Sequence, residues 1–301
     1  MQQRYIAVVG AVNVDIWGRA FAPLIARDSN PGTISYSLGG VGRNIAHNLR
    51  LLGENVQMLT AFGSDDWAER IEKSCETLGI GLDRALRIEG ARTSSYLCVT
   101  GPDGDLAVGL SDTDVAKYIT PAAIEDNLDL LNAAALVVFD GNLTQETMDC
   151  LTSKCTAPLF ADPVSITKGR KLLPFLGRIH SLKPNALEAR DLTGETDPVD
   201  AARSLVALGV KRAFVSDGAN GMAVADKTCA LRVPGVKADV VNASGGGDAA
   251  MAGVCRSFAE GRGLVEGARY ALAAGAISTE CEETINPALS DEAVLRRLGL
   301  V

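Results

Sequence analysis

The sequence predicts an α/β protein with a doubly wound, mostly parallel sheet and a small β-sheet projecting from it. Three observations carry this. From residue 120 onward, short apolar runs such as AALVVF (134–139), PLFA (158–161) and RAFVS (212–216) alternate with stretches of helical period, the signature of βα units. The opening run YIAVVGAVNVD (Tyr5–Asp15) is continuously apolar until its end, as suits a strand covered on both faces. Residues 16–38 and 86–110 instead alternate apolar and polar around strong turn signals, as strands outside the main sheet do.

In chain order, Tyr5–Asp15 reads as the buried first strand. Asn13 and Asp15 stand two apart, so in extended chain both side chains leave one face. At a strand's carboxyl end they could grip sugar hydroxyls, or simply form a turn. The turn Asp28-Ser29-Asn30-Pro31-Gly32 precedes the alternating TISYSL. Leu38-Gly39-Gly40-Val41-Gly42-Arg43-Asn44 then opens a helix with Ile45, Leu49 and Leu52 on one face, stopping at Gly53. A strand and a helix follow in NVQMLTAFGSDDWAERIEKSCETLGI. Residues 86–110 form strands about Gly101-Pro102-Asp103-Gly104 and are expected to pair with the 16–38 strands as a lid.

The regular part then reads as helix 121–132, strand 134–139, helix 144–154, strand 158–161, helix 168–175 and strand 178–182. Helices 185–191 and 198–208, strand 212–216, two further strands and a helical tail over 264–299 complete it. With no internal repeat and no low-complexity linker, residues 1–301 are expected to form one domain, its lid drawn from about 16–38 and 86–115.

Composition narrows the classes. The 301 residues are 47% hydrophobic and 22% charged, ordinary for a soluble globular protein. A formal net charge of −8 argues against a nucleic-acid binder but not against a small anionic ligand. Seven scattered cysteines, with no C-x-x-C pair, point to free thiols in a reducing compartment rather than zinc. No apolar run approaches the ~18 residues of a membrane span, and MQQRYIAVVG has no signal-peptide layout. A cytoplasmic protein is expected. Neither His47 nor His180 has neighbours suggesting catalysis, and His47 is expected to be structural.

The stretch that organises the chemistry is Asn242-Ala243-Ser244-Gly245-Gly246-Gly247-Asp248, run directly into a small-residue helix. Consecutive glycines and a helix N-terminus converge amide N–H groups on one point, a place for phosphate or developing negative charge. Asp248 at its mouth could take a proton from an attacking hydroxyl, or merely cap the helix. A dinucleotide-dependent dehydrogenase is excluded by layout, since Gly10-Ala11-Val12-Asn13-Val14-Asp15 is no G-x-G-x-x-G turn.

Gly39-Gly40-x-Gly42-x-Asn44-x-Ala46, Gly53, Gly63 and the late GGGD resemble the two signatures of the PfkB, or ribokinase-like, carbohydrate kinases. The late signature usually reads (Asp/Asn)-Thr-x-Gly-Ala-Gly-Asp, so Ala243 and Gly246 depart from it while Asp248 is retained. Within that family the chain looks most like the pseudouridine kinases, through Asp28–Gly32, Gly39–Ala46, Asp162-Pro163-Val164-Ser165 with Lys168, and Lys183-Pro184-Asn185 with Glu188.

The resemblance implies a three-layer ribokinase-like fold and ATP-dependent phosphorylation of a primary alcohol, here the 5′-hydroxyl of pseudouridine. Another sugar or nucleoside acceptor, or a non-catalytic nucleoside-binding protein, are the alternatives. It implies Asp248 as general base, with the N–H groups of Gly245, Gly246 and Gly247 as anion hole. Asn13, Asp15, Gly40, Gly42 and Asn44 would hold sugar hydroxyls. Arg43 would touch substrate or lie on the helix surface. Ser29, Asn30, Ser95 and Asn142 would face the substrate or be plain turn residues. Lys168 would donate to the base or be a surface lysine.

On the nucleotide side, the family carries Mg²⁺ on Asn185 and Glu188, usually through water. Ser216, Gly218 and Gly221 would lie along ATP with Gly245 and Gly247, and Asn286 would border adenine. Asp217 would point away from the phosphates. K⁺ dependence and a homodimer formed through the lid are further family expectations.

Overall fold

The structure, a computed structural model, describes residues 4–301. In chain order the elements are β1 (Ile6–Val9), β2 (Asn13–Ala20), β3 (Gly32–Gly39), α1 (Val41–Leu51), β4 (Val56–Leu59), β5 (Ala61–Phe62), α2 (Asp66–Leu78), β6 (Ile80–Gly81), β7 (Leu86–Arg87), β8 (Ser95–Thr100) and β9 (Leu106–Asp112). Then come α3 (Pro121–Glu125), α4 (Leu128–Ala133), β10 (Val137–Asp140), α5 (Gln145–Lys154), β11 (Leu159–Asp162), α6 (Ile166–Gly169), β12 (Ser181–Leu182), α7 (Ala186–Thr193) and α8 (Pro198–Ala207). The chain closes with β13 (Arg212–Ser216), β14 (Met222–Asp226), β15 (Ala230–Val233), α9 (Gly246–Ala259), α10 (Leu264–Ser278) and α11 (Asp291–Arg297).

Nine strands form the main sheet in the order β15-β14-β13-β12-β11-β10-β1-β4-β6. It is parallel except for β14 and β15, which fold back antiparallel. From β1 the chain builds outward through β4 and β6, then returns to β10 on the other side and builds the opposite way. The order therefore reverses between β1 and β10, where a crevice opens at the strand ends. Alternation along β1 serves two cores. Ile6 and Val8 pack with α1, α9 and α10, while Ala7 and Val9 pack under α5, α7 and α8. Helix, sheet and helix make three layers.

A second sheet, ordered β3-β2-β8-β9, stands over the crevice end of β1. Its register puts Asn13, Asp15 and Trp17 of β2 on one face with Ser35 and Ser37 of β3. Ile16, Tyr36, Ile34, Leu97 and Leu110 share the other.

Several expectations are corrected. Tyr5–Asp15 is not one strand: the chain leaves the main sheet at Gly10–Val12, and Asn13 begins β2 of the second sheet. At the break, Ala11 N–H donates to the Asp140 carboxylate (2.9 Å) instead of to a strand. The same oxygen, Oδ2, accepts Gly42 N–H (3.0 Å). Residues 86–94 do not join the second sheet, because Leu86 and Arg87 pair with Ala61 and Phe62. Helix 121–132 is broken between α3 and α4, where the Asn127 side chain takes the Ala123 carbonyl. Expected helix 168–175 becomes the short α6 and a 3₁₀ stretch over Arg170–Arg178 containing Pro174. The tail is two helices separated by irregular chain over 279–290. Among the described residues all seven cysteines are free, and no helix is long and apolar enough to cross a membrane.

Candidate active site

The crevice between β1 and β10 gathers residues from several elements. At the start of β2, Asn13 Nδ2 donates to Asp15 Oδ1 (2.6 Å). Burial lifts the Asp15 carboxyl above its usual range, against the opposing pull of Asn13 and the Arg43 charge. The Gly39-Gly40 turn passes directly beneath. Gly40 has φ 95°, and a Cβ there would lie 2.5 Å from the Ala11 carbonyl and 2.8 Å from Asn13 Oδ1. Only glycine fits.

Arg43 is 4% exposed. Its guanidinium donates to the Leu38 carbonyl (2.7 Å) and Ser74 Oγ (2.8 Å), tying α1 to β3 and α2. The solvated-surface alternative for Arg43 is thereby removed. Asn44, one residue on, points into the crevice and donates from Nδ2 to Asp248 Oδ2 (2.9 Å). Residues 204 positions apart in sequence are thus joined.

Asp248 lies in the first turn of α9, whose N-terminus carries no side-chain cap. Gly245 is the cap residue, at φ 79°, and a Cβ on it would run into the Thr284 carbonyl oxygen. The helical run of N–H groups therefore begins at Gly246, Gly247 and Asp248, one residue later than the expected Gly245–Gly247 set. Desolvation pushes the Asp248 carboxyl up to about 7, helped by the Asp162 charge and opposed by Asn44 and Lys183. A carboxyl near neutrality is poised to exchange a proton.

Lys183 was visible in the sequence only as part of a motif, with no role attached. It is buried, with Nζ 3.1 Å from Asp162 Oδ2 and 3.7 Å from where a Gly247 Cβ would stand. Burial alone would lower its ammonium, but the charges of Asp162, Glu188 and Asp248 offset that and hold it above its ordinary value. One ammonium thus faces three carboxyl groups. The other unforeseen residue is Asp140. Its position, a charged residue closing the apolar run VVFD, was the available signal for it.

Asn185 and Glu188 prove to be a reciprocal capping box. Asn185 Oδ1 accepts Glu188 N–H, and Glu188 Oε2 accepts Asn185 N–H (both 2.9 Å). Asn185 is therefore the helix cap rather than a helical residue. Burial first, then the Asp162 charge, raises the Glu188 carboxyl. Among the described residues no three His, Cys, Asp or Glu side chains gather to cage a metal. An oxygen-only donor set with surplus negative charge nevertheless fits a largely hydrated Mg²⁺ that is completed by phosphates.

Asn142 and Lys168 come together at the ends of β10 and β11, where Lys168 Nζ donates to Asn142 Oδ1 (2.6 Å). Lys168 is half-buried, not a surface lysine. Ser95 stands beside Val14 at the start of β8. Ser29 and Asn30 lie in an exposed loop beyond the far end of the β2–β3 ladder. Seven residue steps, about 23 Å of strand, separate that end from Asn13. Asn30 spends its side chain on Ile25 and Asp28, so the loop explains it.

On the nucleotide side, Ser216 N–H donates to the Pro184 carbonyl (3.0 Å), bringing the 216–221 turn against Asn185. Gly218 borders open space, whereas a Cβ on Gly221 would strike the Val233 carbonyl. Packing against the end of β15 therefore accounts for Gly221. Asp217 is paired with Arg232 (2.8 Å). Asn286 is buried, donating from Nδ2 to the Ile277 carbonyl and accepting Ala288 N–H at Oδ1.

The profile of the pfkB family carbohydrate kinases matches residues 3–291. The chain belongs to the pfkB family. It is similar to the pseudouridine kinase of Escherichia coli K12, 34% identical over 96% of this chain and 95% of that protein. The uncharacterized sugar kinase YeiI of the same organism is 35% identical over 100% and 85%. In fold it matches a ribokinase of Arabidopsis thaliana solved with ribose and ATP, with TM-score 0.88, 22% identity and 99% of each chain covered. This pfkB kinase is a phosphotransferase with an alcohol acceptor.

Proposed function

We propose that this kinase moves the γ-phosphoryl group of ATP to the 5′-hydroxyl of pseudouridine. The observation that carries the catalytic reading is the Asn44–Asp248 hydrogen bond at the uncapped start of α9. It sets a near-neutral carboxyl beside free N–H donors. Support for the acceptor is the likeness to the E. coli pseudouridine kinase.

Asn13, Asp15, the Gly40–Gly42 turn and Asn44 grip the ribose hydroxyls. Asp248 takes the 5′-hydroxyl proton as that oxygen bonds to the γ-phosphorus. The bond from phosphorus to the β,γ-bridging oxygen breaks, and ADP leaves with that electron pair. The N–H groups of Gly246 and Gly247, with Gly245 at the cap and Lys183 beneath, stabilise charge on the transferred group. Glu188 and Asn185 would hold Mg²⁺ through water, and the ion would neutralise charge on the ATP phosphates. Lys168 and Asn142 border the acceptor, and Ser216 and Gly218 lie along the nucleotide.

The chain works in the cytoplasm, consistent with its free thiols, and pairs with a second copy through the outer face of the second sheet. That face leaves Ile34 82% and Leu110 60% exposed. Size exclusion with light scattering tests the dimer, and a monomer at micromolar concentration removes it.

The deciding assay follows ADP release with Mg²⁺-ATP, with and without K⁺, comparing pseudouridine, uridine, ribose and adenosine. Preference for pseudouridine is expected. Preference for another acceptor moves the substrate and keeps the kinase.

A further inference from the structure

A cavity of about 750 Å³ is lined by Trp17 and Ser37, neighbours of Asp15 on the second sheet. It lies between the β3 edge of the second sheet, α1 and the loops 242–244 and 282–287. Trp17 forms part of its wall, with Ser35, Ser37, Arg43 and His47. On β2, Trp17 follows Asn13 and Asp15 on the same face, so its ring rises about 7 Å past Asp15. That offset is on the scale of the step from a ribose to the ring it carries.

The indole is only partly covered. Its partner across the β2–β3 ladder is Ser35, and on β8 it faces Cys98, both too small to cover it. Trp17 is 42% exposed, and among the described residues no aromatic ring or cation stacks on it. Trp67 differs. It packs edge-on to Tyr36 (5.1 Å between centroids) and beneath Arg70 (4.9 Å). Arg43 and His47 stand on the polar side of the wall, where Arg43 Nε and His47 Nδ1 are buried without a hydrogen-bond partner.

We infer that Trp17 is a stacking platform for an aromatic ring carried by the acceptor sugar. With the sugar held at Asn13 and Asp15, the ring lies on the indole, and Arg43 and His47 border its polar edge. Trp17 then separates nucleosides from free sugars. This rests on the acceptor site proposed above.

The test compares the parent enzyme with Trp17→Ala and Trp17→Phe, using pseudouridine, uridine and ribose as acceptors. Trp17→Ala should raise the KM for a nucleoside at least about fivefold, with a smaller change in kcat. It should leave the KM for any accepted free sugar unchanged, and Trp17→Phe should restore most of the nucleoside affinity. In a Trp67→Phe background, pseudouridine without ATP should alter Trp17 emission and saturate with calorimetric binding. An unchanged nucleoside KM in Trp17→Ala overturns the platform, as does constant emission while calorimetry shows binding. A parent enzyme preferring uridine removes pseudouridine as acceptor and leaves the platform standing. One preferring ribose to every nucleoside removes both.

Discussion

Lys183 and Asp162 form an ion pair of 3.1 Å whose side chains are only 5% and 9% exposed, directly under the glycine turn that opens α9. Breaking a buried pair leaves an uncompensated charge, typically at about 3–5 kcal/mol. Lys183→Met should therefore lower urea stability by that order. Because Lys183 pulls the Asp248 carboxyl down, its loss should also move the acid limb of the pH–rate profile upward. A Lys183→Met/Asp162→Leu double variant should recover stability but not turnover. Recovery of both would show that the pair serves folding alone.

Asp248 itself gives the main pH prediction. With its carboxyl near 7, activity should fall about tenfold per unit below that pH if the carboxylate is the base. Asp248→Asn should lower kcat by about 10²–10⁴ with acceptor binding retained.

Stability runs the opposite way from activity. A carboxyl whose folded value is raised binds more protons folded than unfolded between about 4 and 7, so its contribution declines as pH rises through that window. The stability advantage of Asp248→Asn over the parent should grow across the window and level off above it. Chemical denaturation at pH 4, 5.5 and 8 reads this directly, and a gap that shrinks with pH contradicts the burial of Asp248.

Asn44→Leu keeps bulk and removes the donor. The Asp248 carboxyl should rise further, shifting the activity midpoint to higher pH, and acceptor KM should increase. A changed KM with an unmoved pH profile would mean that Asn44 serves the acceptor alone.

Gly245→Ala forces a Cβ onto a backbone at φ 79° and against the Thr284 carbonyl. A loss of about 1–3 kcal/mol with strongly reduced turnover is expected. Gly218→Ala, at φ 53° but in open space, should lose less stability and serves as the comparison. Equal effects would mean that the Thr284 contact is unimportant.

The layered sheet and the paired glycine motifs were legible because they rest on periodicity and on backbone conformations that only glycine adopts. The break at Gly10–Val12 was not, since an apolar run does not reveal that the Asp140 side chain, 129 residues away, replaces a strand partner. Asn13, Asp15, Asn44 and Asp248, singled out by residue type and by the family resemblance, are brought into two hydrogen-bonded pairs. Asn286, Gly221 and Asn30 also serve the protein itself, through local hydrogen bonds and a backbone contact that no residue pattern reveals. Lys183 stands in a motif but carries no role there, because a lysine after a two-residue strand looks ordinary until three carboxyl groups converge on it.

The chain passes into the second sheet through residues 10–12 and out of it through 40–42, and Asp140 Oδ2 holds both passages. That one oxygen fastens both connections to the end of β10. Asn13 sits only two residues from its grip, so the strand that carries the Asn13–Asp15 pair is anchored to the main sheet just before the pair begins.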